Sequence, residues 1–274
     1  MTHSPYDPHP APGPSGTGGW GQPAPGAAPD ATAGAGTVTG APAPGKDLGA
    51  DLGAGLRFAL DALLRNPVAL LLPGVLYGLL GAILLGGSIV LGFVLAWPQM
   101  EAAAYSDEPP LGVLLTVYGL TLLGGLLCSP LALFWQSGAA RAGEVIVTGR
   151  RPTIGQAMIG TGRLLLTLLL VGVIVFVGML LFYLPGIVAS VALTFALPAA
   201  ARGASPVEAV KESLSLVKNN LGTTIVMILI GSAIGSVAGL FLITFVVLIP
   251  FLVLFHLGMY ERLSGRELAE PVRA

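Results

Sequence analysis

The chain has 274 residues, of which 54% are hydrophobic and only 10% charged, with a formal net charge of −1. Soluble domains carry about 25% charged residues, so this composition excludes a water-soluble globule and marks an integral membrane protein. The one cysteine, Cys128, rules out an intrachain disulfide and any multi-cysteine metal site, and no cofactor, metal or nucleic-acid partner is expected.

Residues 1–46 are rich in Pro, Gly, Ala, Ser and Thr and poor in large aliphatic side chains. Such a segment buries too little apolar surface to offset its ordering entropy, so it reads as a disordered tail. Trp20 and Tyr6 are either recognition points or parts of a solvated tether. With no apolar core in this stretch, no secretory signal is expected, and the first apolar run directs membrane insertion.

From residue 47 the pattern changes. Leu48, Leu52, Leu56, Leu60 and Leu63 recur every three or four residues, while Asp47, Asp51, Arg57, Asp61 and Arg65 lie mostly elsewhere. This spacing predicts an amphipathic helix along the membrane surface, weakened by Gly49, Gly53 and Gly55. Asn66-Pro67 then bends the chain into the bilayer. Val68–Trp97 and Leu111–Trp135 are uncharged, and at 1.5 Å per residue each exceeds the roughly 30 Å hydrocarbon core. They form a first hairpin, with Trp97 and Trp135 placed at the two interfaces.

A second helix start follows at Thr153-Ile154-Gly155-Gln156, which has the form of a capping box. Leu164–Ala201 then carries no charge; as one helix it would be about 57 Å long, so two spans with a turn at Leu184-Pro185-Gly186 fit better. The second of them, residues 187–201, is short enough to cross only in part. Ser205-Pro206-Val207-Glu208 offers a third start, with an N-cap, Pro at the first helical position and Glu at the third. Over Ala204–Asn220, Val207, Val210, Leu214 and Val217 form an apolar stripe opposed by Glu208, Lys211, Glu212, Ser215 and Lys218. Leu221–Tyr260 again requires two spans, with the turn near Gly239–Ile243.

The predicted fold is therefore all-α: a polytopic bundle of about six transmembrane helices in three hairpins, each preceded by an amphipathic helix. The domain organisation is a tail over 1–46, a membrane domain over 47–265 and a short tail over 266–274. All thirteen Lys and Arg residues fall on one side of this topology. Since Lys and Arg favour cytoplasmic loops, that side reads as inside, with both termini cytoplasmic in the plasma membrane of a bacterium.

Glycine ridges at Gly74, Gly78, Ala82 and Gly86, and at Gly231, Gly235 and Gly239, read as close-packing surfaces within one bundle or as a homodimer seam. His256 is the one ionisable group placed within a span, expected near the interface and bonded to a backbone carbonyl. Thr116, Tyr118, Thr121, Ser129, Thr194, Ser232, Ser236 and Thr244 either line a polar path or bond to their own helices. No metalloprotease, nucleophile-elbow or Walker motif is present, so no enzymatic activity is expected. A membrane-embedded hydrolase would require a serine or cysteine beside a base in one cavity.

The stretches WQSGAARAGEVIVTGRRPTIGQA, FALPAAARGASPVEAVKESLSLVKNN and LGMYERLSG resemble the membrane domain of some bacterial glycerophosphodiester phosphodiesterases, and of multi-pass proteins that carry that domain alone. The matching residues are Pro152, Thr153, Ser205, Ala209, Ser213, Leu216, Val217, Lys218, Tyr260 and Leu263. The resemblance covers residues 50–265 and implies a six-helix membrane domain. It does not carry over the phosphodiesterase activity, which resides in a separate soluble barrel in those enzymes.

Two functions remain in view. One is a non-enzymatic scaffold or partner- or lipid-interacting protein, working through its cytoplasmic helices with Ser205, Glu208, Val210, Lys211, Leu214 and Lys218 as the candidate interaction helix. The other is a transporter or flippase-like protein for a small neutral or lipidic substrate. Expected partners are the lipid bilayer and a protein on the cytoplasmic face.

Overall fold

The computed structural model describes residues 42–105, 110–238 and 244–272. The expected disorder over most of the tail, the acidic tip of the first hairpin and the turn at Gly239–Ile243 lie outside the described residues. Among those described, every regular element is a helix. In chain order they are α1 (Leu48–Arg65), α2 (Pro67–Ala103), α3 (Leu111–Val147), α4 (Ile154–Met158), α5 (Gly162–Phe182), α6 (Leu184–Ala192), α7 (Ala196–Ala201), α8 (Pro206–Asn219), α9 (Leu221–Ala238) and α10 (Phe245–Leu263). Six segments are long and apolar enough to cross a membrane: α2, α3, α4 with α5, α6 with α7, α9 and α10.

The helix starts follow from capping chemistry. The Asp47 side chain accepts from the Ala50 N–H, and reciprocal boxes join Thr153 to Gln156 and Ser205 to Glu208. Each satisfies backbone donors that the first helical turn leaves unpaired. Asn66 separates α1 from α2, and Pro67 opens α2. In the 38-residue apolar run the turn comes at Tyr183, one residue earlier than the sequence suggested, where φ is 33°. With no loop between them, α5 and α6 fold back to back; a Cβ on Gly178 would lie 2.9 Å from the Gly186 Cα.

The first hairpin is longer than its apolar runs. Both α2 and α3 have 37 residues, or about 55 Å each. They pair antiparallel, with Gly92 against Val117, Gly124 against Ser88 and Gly74 against Trp135. Trp135 therefore does not anchor an interface as expected; a Cβ on Gly74 would sit 2.6 Å from its ring, and the indole is buried. The expected ridge is also displaced. Gly86 and Gly235 face open space and Gly78 barely reaches Val246, so of the described ridge glycines Gly74 alone is tightly packed.

The core lies at one end of the molecule. Residues of α3 from Ser137 to Val147 are largely buried, whereas Leu115, Leu122 and Leu126 on its other half are exposed. Small residues dominate the buried half, letting neighbouring backbones close in: a Cβ on Gly138 would lie 2.1 Å from the Ala157 carbonyl oxygen. Around it gather Phe58 and Ala62 of α1, Leu164 of α5, Ala199–Ala201 of α7, Ala209 of α8 and Leu254–Tyr260 of α10. Away from this hub the hairpins expose Leu79, Ile83, Val90, Leu180, Leu229 and Val237, as helices in contact with lipid do.

The helix α1 packs lengthwise on α10, crossing where Gly55 meets Gly258. Its predicted leucine stripe is thus partly wrong. Leu52 and Leu63 are buried, but Leu48 and Leu60 are exposed, and Asp51, expected on the polar side, is 2% exposed. Asp51 tolerates burial because Arg262 Nε lies 2.8 Å from its Oδ1 and the Gly45 N–H donates to the same oxygen.

Candidate membrane-surface helix and intramembrane cavity

The helix α8 connects the short helix α7 to the span α9, and the side chains that hold it down are small. Ala209, Ser213 and Val217, at i, i+4 and i+8, are buried. The Ser213 hydroxyl accepts from the Phe195 N–H at 3.0 Å and donates to the Ala192 carbonyl at 2.8 Å. One side chain thereby satisfies both sides of the break between α6 and α7. Glu212 accepts a hydrogen bond from the Tyr260 hydroxyl, and the Tyr260 ring lies under the Arg266 guanidinium, 5.0 Å from its centroid. Beside it Glu261, buried, is gripped by Arg266 at 2.7 Å and Arg202 at 3.2 Å. These contacts fix α8 to the end of α10.

The stripe predicted from sequence is split: Val217 is buried, and its other members are not. Val207 is 58% exposed and Leu214 46%, and Val210 is half-buried. At 100° per residue, Lys211 and Lys218 fall in the same sector as Val207, Val210 and Leu214, and both lysines are exposed. Of the residues singled out from sequence, Val210, Lys211, Leu214 and Lys218 thus form one outward face. Ser205 and Glu208 cap the helix, with the Ser205 N–H donating to Glu208 Oε2 at 3.0 Å. The Ser205 side chain, followed by that backbone N–H, holds the Glu208 carboxyl below its ordinary value.

A cavity of about 380 Å³ lies between α3, α5, α6, α7 and α10, and no pattern in the sequence marks it. Its walls are largely aliphatic, and its polar lining is Gln136, Thr167, Ser190, Thr194 and His256. Thr167 and Ser190 bond to their own helices, donating to the Arg163 and Ile187 carbonyls. Of the hydroxyls considered from sequence, Thr194 alone lines this cavity; Thr121, Ser129 and Ser236 bond to their own helices. His256 departs from expectation, since among the described residues no backbone carbonyl accepts from it; its ring centroid lies 6.2 Å from that of Phe255. Thr167, Ser190 and Thr194 share this cavity with His256, and among the described residues no hydrogen bond joins His256 to a hydroxyl.

In sequence the chain is similar to mycobacterial proteins. It is 27% identical over 242 residues to "Uncharacterized protein Rv2560" of Mycobacterium tuberculosis, an alignment covering 82% of this chain and 72% of the relative. The likeness to "Uncharacterized protein Mb2590" of Mycobacterium bovis has the same extent. No family model matches the chain, and no solved structure does. The protein is a multi-pass integral membrane protein.

Proposed function

We propose that this is a non-enzymatic membrane protein that engages the surface of its own bilayer through α8, with its basic end on the cytoplasmic side of a bacterial plasma membrane. One observation carries the reading: the face of α8 turned away from the bundle combines exposed Val207 and Leu214 with Lys211 and Lys218. An apolar stripe edged by lysines suits the boundary between headgroups and acyl chains. The aliphatic tips enter the bilayer while the ammonium groups reach anionic phosphates. Because α9 begins at Leu221, directly after α8, the helix is tethered at the level of the membrane surface. The one-sided placement of Lys and Arg supports the orientation, and the mycobacterial relatives support a bacterial membrane.

Nitroxide depth measurements on a Cys128→Ser background test this. In vesicles containing phosphatidylglycerol, a label on Leu214→Cys collides more with oxygen than with a water-soluble relaxant, and a label on Ser215→Cys does the reverse. Adding Lys211→Gln and Lys218→Gln moves the first label outward in anionic but not in neutral vesicles. Equal water exposure at the two positions rejects the reading. Shielding of Leu214→Cys from both reagents points to a protein partner or scaffold role instead.

A second reading, a transporter or flippase-like protein for a small neutral or lipidic substrate, is favoured by the cavity. It requires that the reconstituted protein speed exchange of a neutral lipid between leaflets.

A further inference from the structure

We infer that the cavity among α3, α5, α6, α7 and α10 is a binding site for an uncharged, single-chain lipid whose head carries hydroxyl or carbonyl oxygens. The inference names the substrate class of the second reading above, but rests on occupancy alone: a lipid that binds and never crosses leaves it standing.

Its first support is the layering of the walls. Gln136 precedes Arg141 by five residues, Thr167 follows Arg163 by four and His256 precedes Arg262 by six. These polar groups therefore lie about 6–9 Å along their helices from the arginines of the basic end. Val171 and Val175 on α5 lie about 6 and 12 Å further in than Thr167, and Ile249 about 10 Å further in than His256. Gln136, Thr167 and His256 thus gather towards the basic end while Val171, Val175 and Ile249 lie deeper. Ser190, the polar lining residue at that depth, commits its hydroxyl to the Ile187 carbonyl, so the gradient matches a head and a tail.

The second is charge. Among the described residues no Asp, Glu, Lys or Arg lines the cavity, and each neighbouring arginine bonds a carbonyl or carboxylate outside its lining. Arg163 donates to the Ala200 carbonyl at 2.9 Å, Arg141 to that of Ile159, Arg202 and Arg266 clasp Glu261, and Arg262 holds Asp51. A phosphate or carboxylate head inside it would be desolvated with no charged side chain on the walls to pair with it, at a cost of several kcal/mol.

The third is hydrogen-bonding capacity. Gln136, Thr194 and His256 make no side-chain hydrogen bond within the described protein, yet together they offer amide, hydroxyl and imidazole donors and acceptors. Thr194 sits in the break between α6 and α7, residues 193–195. Interrupted helices within a membrane occur where backbone is buried in protein or lines a cavity, and they commonly form substrate sites. The volume, about 380 Å³, falls in the range of roughly 300–1,000 Å³ typical of small-molecule sites.

The test uses the full chain, purified in detergent and delipidated, with a monooleoylglycerol bearing a diazirine in its acyl chain. Photolabel is expected on peptides containing Val171–Val175 or Ile249–Val253. Unlabelled monooleoylglycerol should displace it; oleate and lysophosphatidylglycerol should not. Thr194→Val or Gln136→Leu is expected to weaken that competition about tenfold, the loss of one hydrogen bond's worth of affinity. Val171→Trp, which fills the aliphatic end, should abolish the labelling. Label spread over the lipid-facing leucines of α2 and α3, without competition, overturns the proposal. So does stronger displacement by the anionic amphiphiles. Should Val171→Trp fail to fold, the competition map of the unaltered chain decides.

Discussion

Asp51 and Glu261 are the two carboxylates that the described protein buries, each 2% exposed at the side chain or less. Arginine answers both, but the surroundings differ. The side chain of Arg262, facing Asp51, is 12% exposed, whereas Arg202 and Arg266, facing Glu261, are 30% and 41% exposed. Removing Arg262 strands a buried anion, so Arg262→Gln is expected to cost about 3–5 kcal/mol. Glu270→Gln, which removes an anion 78% exposed from its pair with Arg65, should cost at most about 1 kcal/mol. Unfolding in mixed detergent micelles compares the two, and equal costs would mean that the Asp51 pair is not sealed from water. None of this was legible at Asp51, because a buried acid and a solvated one look alike until the partner helix is known. Ser213 was visible only as a residue of the resemblance. Its bridge to Ala192 and Phe195 depends on a break in α6–α7 that has no punctuation of its own beyond Pro198.

At the scale of the helix, starts and stops were readable because they rest on local chemistry. Asn66-Pro67, Thr153 with Gln156, and Ser205 with Glu208 each act within a turn of their own position; the cap at Asp47 obeys the same chemistry but was read only as a charge beside the leucines. Rotation about the helix axis was not readable. Beside lipid an apolar stripe fits inward or outward equally well, so the spacing of the leucines of α1 and of Val207, Val210, Leu214 and Val217 in α8 did not say which of them would be buried. Small residues are the better guide: Ser137, Gly138 and Gly143 of α3, Ala199–Ala201 of α7 and Ala209 and Ser213 of α8 face inward. Since the Ala157 carbonyl leaves no room for a Cβ at Gly138, Gly138→Ala should destabilise by about 1–3 kcal/mol or more. Gly86→Ala and Gly235→Ala, both facing open space, should be close to neutral. Heat-inactivation midpoints of the purified variants check this; a neutral Gly138→Ala would undo the close crossing of α3 and α4.

For the whole molecule, number and length of spans followed from the apolar runs, with the exception that α2 and α3 run past theirs, to Ala103 and Val147. The cavity could not be read, since five separated helices contribute to it. The proposed orientation makes a definite prediction for single cysteines on a Cys128→Ser background. Tyr105→Cys and Tyr183→Cys, at positions 93% and 70% exposed, should react with an impermeant maleimide added to intact cells. Ser215→Cys and Ser264→Cys should react only after permeabilisation. Labelling at Ser264→Cys in intact cells would reverse the placement of α10 and with it the basic end.

The pairing of α1 with α10 has a bearing on biogenesis. The ribosome makes α1 first and α10 last, so Asp51 emerges more than two hundred residues ahead of Arg262. Until then the spans can enter the bilayer as separate hairpins, but the hub that joins them lacks Leu254, Phe255 and Tyr260. Assembly of the hub is therefore a post-insertion event, and a nascent chain halted before α10 carries an unanswered acid and an uncovered alanine- and glycine-rich surface.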